Sequence, residues 1–85
     1  MNIQFAEKAW EDYSYWQQTD KRITKKINAL IQDVCRDDPF TGIGKPEPLK
    51  HAFSGYWSRR ITDEHRMIYR VFDEVLQIAQ LRYNY

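Results

Sequence analysis

Only one cysteine is present, Cys35, so the chain can build neither a disulfide framework nor a thiolate metal cluster. No run approaches the roughly 18 apolar residues of a membrane-spanning helix. Met1-Asn2-Ile3-Gln4-Phe5 lacks the basic and apolar regions of a secretory leader. A reducing cytoplasm is therefore expected, with no membrane association. Glycine and proline are scarce, three of each, and no linker, internal repeat or low-complexity run divides the sequence. Residues 1–85 should form a single domain, near the lower limit for folding without disulfides or metals. A large charge of one sign is missing too. The net charge is +1, which alone does not point to nucleic acid, and no ribonucleoprotein or KH signature is present. A stand-alone RNA-binding module is disfavoured on both counts.

Aromatic residues, by contrast, are plentiful at 15%, enough to give a small core large buried area per residue. Charge is also unevenly placed. Residues 1–38 carry six Lys/Arg against seven Asp/Glu, whereas residues 39–72 carry six against three. A local excess of cations is what a phosphate-binding patch requires.

Asn2-Ile3-Gln4-Phe5 alternates polar and apolar and reads as a short strand. From Ala6 to Gln18 the pattern is helical, with Ala9, Trp10, Tyr13 and Trp16 expected in the core, although Ala6 is a poor cap. Thr19-Asp20 breaks this helix and caps the next, whose Ile23, Ile27, Leu30, Ile31 and Val34 form one apolar stripe. Residues 37–46 hold four helix breakers and form a loop. Beyond it the chain reads as strands: Leu49–Phe53, Tyr56–Thr62, His65–Phe72 and Val75–Tyr83, with turns at Asp63-Glu64 and Asp73-Glu74. In the second of these, Trp57, Arg59 and Ile61 share a face and Tyr56 points the other way. The expected fold is α+β, an N-terminal helical hairpin packed on one face of a mostly antiparallel sheet of four to five strands.

Within that frame Lys45-Pro46-Glu47-Pro48-Leu49-Lys50-His51 stands out. Two prolines stiffen the backbone around one carboxylate and push the residues before them towards extended geometry. A carboxylate held rigidly beside cations suits a general base whose substrate is an anion. Together with Arg59-Arg60, His65-Arg66 and the terminal Arg82-Tyr83-Asn84-Tyr85, this suggests a small phosphodiester-cleaving site.

Several segments resemble the YoeB/Txe toxins of bacterial toxin–antitoxin modules, within the RelE superfamily. They are Ala9-Trp10-Glu11-Asp12-Tyr13, Tyr15-Trp16-Gln17, Lys25-Lys26-Ile27-Asn28, Gly44 to Lys50, Ser54 to Thr62, and Glu64-His65-Arg66. The resemblance runs essentially from end to end. It implies a microbial-RNase-like fold and a ribosome-dependent endonuclease that cuts mRNA in the A site of the 70S ribosome. It further implies a YefM-like antitoxin, repression of the operon with operator DNA met only through that complex, and a homodimer. No cofactor or metal is implied.

Metal-free RNA cleavage uses the 2′-OH as nucleophile and sets three tasks: removing its proton, stabilising a phosphorane, and protonating the leaving 5′-oxygen. By resemblance Glu47 is the base and Arg66 the phosphate-stabilising group, while Tyr85 helps hold the reacting nucleotide. Lys45, Lys50 and Arg60 are candidates for binding mRNA or ribosomal RNA backbone. The family's acid is a penultimate histidine, and here Asn84 stands in that place. An amide has no proton to give near neutral pH. Either the natural protein works without this acid, with Tyr85, His65 or His51 standing in, or the histidine has been replaced by asparagine. The second is preferred, since an active translation-blocking nuclease is hard to produce without its antitoxin, and an attenuated enzyme is expected. The competing reading is a superfamily member that inhibits by binding alone, as ParE-like toxins act on gyrase. The pairing of Glu47 with Arg66 argues against it.

Overall fold

Asp20 divides the N-terminal half into two helices. Its carboxylate accepts the backbone N–H groups of Arg22 and Ile23 at 3.0 and 3.2 Å, satisfying donors that the first turn of a helix leaves free. The structure is a computed structural model that describes residues 1–36 and 38–84. Helix α1 spans Glu7–Thr19 and α2 spans Lys21–Arg36. Ala6 opens α1 with no side-chain cap. Four of the five stripe residues of α2, Ile27, Leu30, Ile31 and Val34, are buried, and Ile23 is half-buried at its start. No helix is long and apolar enough to cross a membrane among the described residues.

Strands β1 (Asn2–Phe5), β2 (Glu47–Pro48), β3 (Trp57–Arg60), β4 (Arg66–Phe72) and β5 (Val75–Gln80) form one sheet in the order β1-β5-β4-β3-β2. The three pairings from β2 to β5 are antiparallel, and β1 lies parallel to β5. The α+β architecture with a helical pair on a mostly antiparallel sheet is thus the one observed, with five strands.

Alternation along the strands separates two faces. Met67 and Tyr69 of β4 join Leu76 and Ile78 of β5 in a buried cluster with Ala9, Trp16, Ile27, Leu30 and Val34 of the helices. Arg66, Ile68, Arg70 and Phe72 consequently take the face away from the helices. Register extends that open face into rows. Arg60 pairs with Arg66, and Glu47, Ser58, Ile68 and Gln80 follow one another across four strands. A bulge where the β5 partner steps from Gln80 to Ile78 keeps both strands in phase on each face.

Several local expectations fail for identifiable reasons. Leu49–Phe53 is not a strand. The extended pair is Glu47–Pro48, and His51–Phe53 is a 3₁₀ turn in which His51 has φ +58°. The Leu49 N–H closes onto the Tyr56 carbonyl at 2.9 Å, so the segment folds back on itself. Lys45 is not extended before its proline but left-handed, at φ +51°. Trp10 is 54% exposed. The inner side of α1 is set by Ala9, Asp12 and Trp16, and Trp10 falls one position off that line, against Phe5 and Tyr13. Trp57 is half-buried, tilted against Phe40. β5 stops at Gln80 rather than Tyr83 because α1 captures the next residue, Leu81.

Candidate active site

The loop that delivers Glu47 is organised by a buried arginine. Arg59 lies on the helical side of β3 with no exposed surface. Its Nη1 donates to Asp33 Oδ2 at 2.6 Å and to the Ile43 carbonyl at 3.0 Å. Nη2 donates to the carbonyls of Pro39 and Thr41 at 3.1 and 2.7 Å, and Nε to the Tyr69 hydroxyl at 3.1 Å. Tyr69 in turn donates to the Pro39 carbonyl at 2.7 Å. A guanidinium has five donors in a fixed fork, and all are used here to nail loop 39–43 onto α2 and the sheet. The Arg59 hydrogen bond holds the Asp33 carboxyl below its ordinary range, against an opposing effect of desolvation. Burial pushes the Tyr69 phenol up, and Arg59 partly offsets this.

Two glycines make the close approach possible. Gly42 has φ +117°, and a Cβ there would fall on the Asp33 carboxylate. Gly44 has φ +82°, and its carbonyl accepts the Arg60 N–H at 2.6 Å. With Lys45 also left-handed, the chain turns onto the β3 edge and places Glu47 opposite Ser58.

Ser58 links Glu47 to Arg66. Cross-strand partners share a face, so Glu47 and Ser58 both stand on the open side. The Arg66 Nη1 reaches Ser58 Oγ at 2.9 Å. Strand spacing of about 4.8 Å and a rise of about 3.4 Å per residue put the Glu47 and Arg66 Cα atoms roughly 12 Å apart. The guanidinium leans into that gap. Neither Asp63 nor Glu64 pairs with Arg66 among the described residues. Its cross-strand partner is instead Arg60. Like charges directly opposite destabilise a sheet, and an anion between them removes the penalty.

The C-terminal segment reaches the same end of the face. Leu81 is clamped by α1: its N–H donates to Asp12 Oδ2 at 3.0 Å and its carbonyl accepts from Trp16 Nε1 at 2.9 Å. Asp12 is buried and paired with Lys8. The Tyr83 carbonyl accepts the Arg66 N–H at 3.1 Å, and the Tyr83 N–H donates to His65 Nδ1 at 2.8 Å. Gln80 Nε2 donates to the Asn84 carbonyl at 3.3 Å, which sets Asn84 beside the row that begins at Glu47. Tyr85 lies outside the described residues.

Lys45, Lys50 and His51 are exposed along the segment around Glu47, which lines a cleft of about 460 Å³ with Leu49 and Lys50. Arg60 is exposed on the open face. His65 is not free, because it packs edge-on against Trp16 and holds the Tyr83 backbone through Nδ1. Asp12, Trp16, Arg59 and His65 therefore position the site without belonging to its open face. The helical pattern put Trp16 in the core and strand alternation turned Arg59 inwards, whereas no local pattern marked Asp12 or His65 as holding the tail. A second cleft of about 350 Å³, lined by Phe5, Trp10 and Tyr13, lies beside β1 and has no charged residue. Among the described residues no His, Cys, Asp or Glu cluster is arranged to hold a metal.

Two helices on a mixed five-stranded sheet thus leave Glu47 and the Arg60–Arg66 pair together on the uncovered face, the frame of a small α+β domain. Residues 5–85 match the YoeB-like toxin family of bacterial type II toxin–antitoxin systems. The Toxin YoeB of Escherichia coli K12 is 61% identical over the full length of both chains. A YoeB/ParE toxin from Agrobacterium tumefaciens superposes with a TM-score of 0.96 at 49% identity, both chains fully covered. Staphylococcus aureus YoeB, solved as a dimer and in a YoeB–YefM complex, is 49% and 48% identical respectively, covering 100% of this chain and 98% of that one at TM-score 0.93. The chain belongs to the YoeB family of type II toxins.

Proposed function

We propose that this toxin is a ribosome-dependent mRNA endonuclease whose centre lies between Glu47 and Arg66. The observation that carries the reading is the contact of Arg66 with Ser58, directly across from Glu47. Glu47 removes the 2′-OH proton, and the alkoxide attacks the adjacent phosphorus. Arg66, with Arg60 opposite it, stabilises the added negative charge of the phosphorane. The P–O5′ bond then breaks, leaving a 2′,3′-cyclic phosphate on one fragment and an oxygen that needs a proton on the other. Tyr85 completes the nucleotide-binding end of the site. Asn84 holds a hydrogen bond there but donates no proton, so the last step is slow. Lys45 and Lys50 bind RNA backbone beside the base.

The Staphylococcus aureus relatives, solved as a dimer and with YefM, support a homodimer and a YefM-like antitoxin that covers the open face; the 70S ribosome with its mRNA is the target this reading assigns. With its antitoxin the toxin represses its own operon, and DNA is met only through that complex. The cytoplasm is where these partners meet.

Primer extension on translated mRNA tests the reading. Restoring the acid with Asn84→His should raise single-turnover cleavage by about 10²–10⁴, the usual worth of general acid catalysis. Glu47→Gln should abolish cleavage in that background. Equal rates for the parent and Asn84→His, or cleavage surviving Glu47→Gln, refute the assignment. Inhibited DNA supercoiling with intact mRNA would favour the gyrase-binding alternative.

A further inference from the structure

Beyond Glu47 and Arg66 the open face carries another cross-strand row with no place in the proposed reaction. Arg70 pairs with Gln77, and Gln77 with Gln4. Tyr56 adjoins the Trp57–Tyr69 pair and so stands across from Arg70. Arg70 Nε donates to Gln77 Oε1 at 2.6 Å, and Gln77 Nε2 donates to Gln4 Oε1 at 2.8 Å. The guanidinium carbon lies 5.1 Å from the centre of the Tyr56 ring and 4.8 Å from that of Phe72. Arg70 is thus fixed by its Nε and by two rings. Among the described residues no carboxylate pairs with it, and its Nη donors have no hydrogen-bond partner. Phe72 is 43% exposed on the same side.

Fully buried Arg59 spends its outer donors on the protein, whereas Arg70 is only half-buried and leaves its own to solvent, open to a ligand. Here those donors are kept, and aromatic rings stand beside them. We propose that Arg70, Tyr56 and Phe72 form a second nucleotide subsite on the RNA track. Arg70 takes a backbone phosphate and an aromatic ring stacks the adjoining base. The subsite rests on the nuclease reading and extends it, since it holds the strand whose scissile phosphate lies at Arg66. Four residues of strand separate Arg70 from Arg66 by about 13 Å, a span that single-stranded RNA covers within a few nucleotides. Ile68 between them is buried and uncharged. The exposed Asp73-Glu74 turn ends the track, because its carboxylates repel phosphate. An acidic peptide would also gain from Arg70, but a guanidinium interleaved with aromatics is the arrangement that holds single strands.

The test is binding of a short single-stranded RNA with 2′-O-methyl riboses, which blocks cleavage. It is followed by fluorescence anisotropy at several salt concentrations. Arg70→Gln should weaken binding about tenfold and lower the slope of log K against log salt by about 0.7, the loss of one phosphate contact on a single strand. Arg70→Lys should keep the slope while losing affinity. Phe72→Ala, at an exposed position, should lose about fivefold or more of the affinity with the slope intact, as expected for a stacking contact. Parent affinity and slope in both Arg70→Gln and Phe72→Ala overturn the proposal. With Arg66→Gln weakening binding in the same series, the nuclease reading survives that failure; with Arg66→Gln equally silent, both fall. RNA binding unchanged in Arg70→Gln while binding of an acidic peptide weakens would assign the row to a protein partner and also overturn it. So would parent protein that does not bind the RNA.

Discussion

Replacing Arg59 by methionine should disconnect the loop that leads to Glu47 from the rest of the molecule. Methionine keeps much of the volume and removes all five donors. The Asp33 carboxylate, whose side chain is 20% exposed, loses its buried partner, and the carbonyls of Thr41 and Ile43 lose their Arg59 donors, while that of Pro39 keeps the Tyr69 hydroxyl. Breaking a buried ion pair on one side typically costs about 3–5 kcal/mol. Water that reaches Asp33 and the loop carbonyls recovers part of this, so a net loss of about 2–4 kcal/mol is expected. A domain of this size has only about 4–13 kcal/mol of stability in total. The variant therefore folds unless the parent lies at the bottom of that range, and its Tm falls by about 8–32 °C, at roughly 4–8 °C per kcal/mol. Cleavage should fall further than unfolding explains, because loop 39–46 no longer fixes the entry to β2. Thermal melting gives the first quantity. Hydrogen exchange over residues 39–47, compared with β4 and β5, gives the second. A Tm within about 2 °C of the parent, with exchange over that loop unchanged, would show that Arg59 is a passenger and refute the reasoning.

The same pair predicts the acid limb of stability. Asp33 is depressed below its reference value of 3.8 in the fold. Its contribution is therefore present above about pH 4 and is lost as the pH falls through the depressed value. Asp33→Asn should flatten the pH dependence of Tm in that range, and an unchanged acid limb contradicts it. His65→Phe keeps the ring against Trp16 but removes the acceptor for the Tyr83 N–H. It should cost about 1 kcal/mol in stability and slow single-turnover cleavage in the Asn84→His background. No loss of rate would mean that the tail is held without His65.

Periodicity accounts for the parts that were legible. The α2 stripe, the Asp20 break, the Asp63-Glu64 and Asp73-Glu74 turns and the alternation of β4 each depend on neighbours within a few residues. Local sterics and one apolar face settle such choices. The family motifs located Glu47 and Arg66, and β-sheet register then carried both onto one side. Where partners lie far along the chain, local pattern fails. Leu49–Phe53 has strand-like composition, yet the contact of Leu49 with Tyr56 bends it into a turn. Trp10 has a core-like side chain, but only the packing direction of α1 decides which aromatic is covered.

Local pattern and motif were enough for the element order, the helical hairpin, the loop before Glu47 and the family to which the chain belongs. Tertiary structure alone decided what the inward-facing Arg59 clamps, because its acceptors come from Asp33 and from three loop carbonyls 16 to 20 residues away. It also decided that His65 is an anchor for the tail and that two arginines face each other on the open side. A charged side chain has no preferred environment of its own. Its fate is fixed by the groups that the fold brings within hydrogen-bonding reach, and spacing along the chain does not encode them.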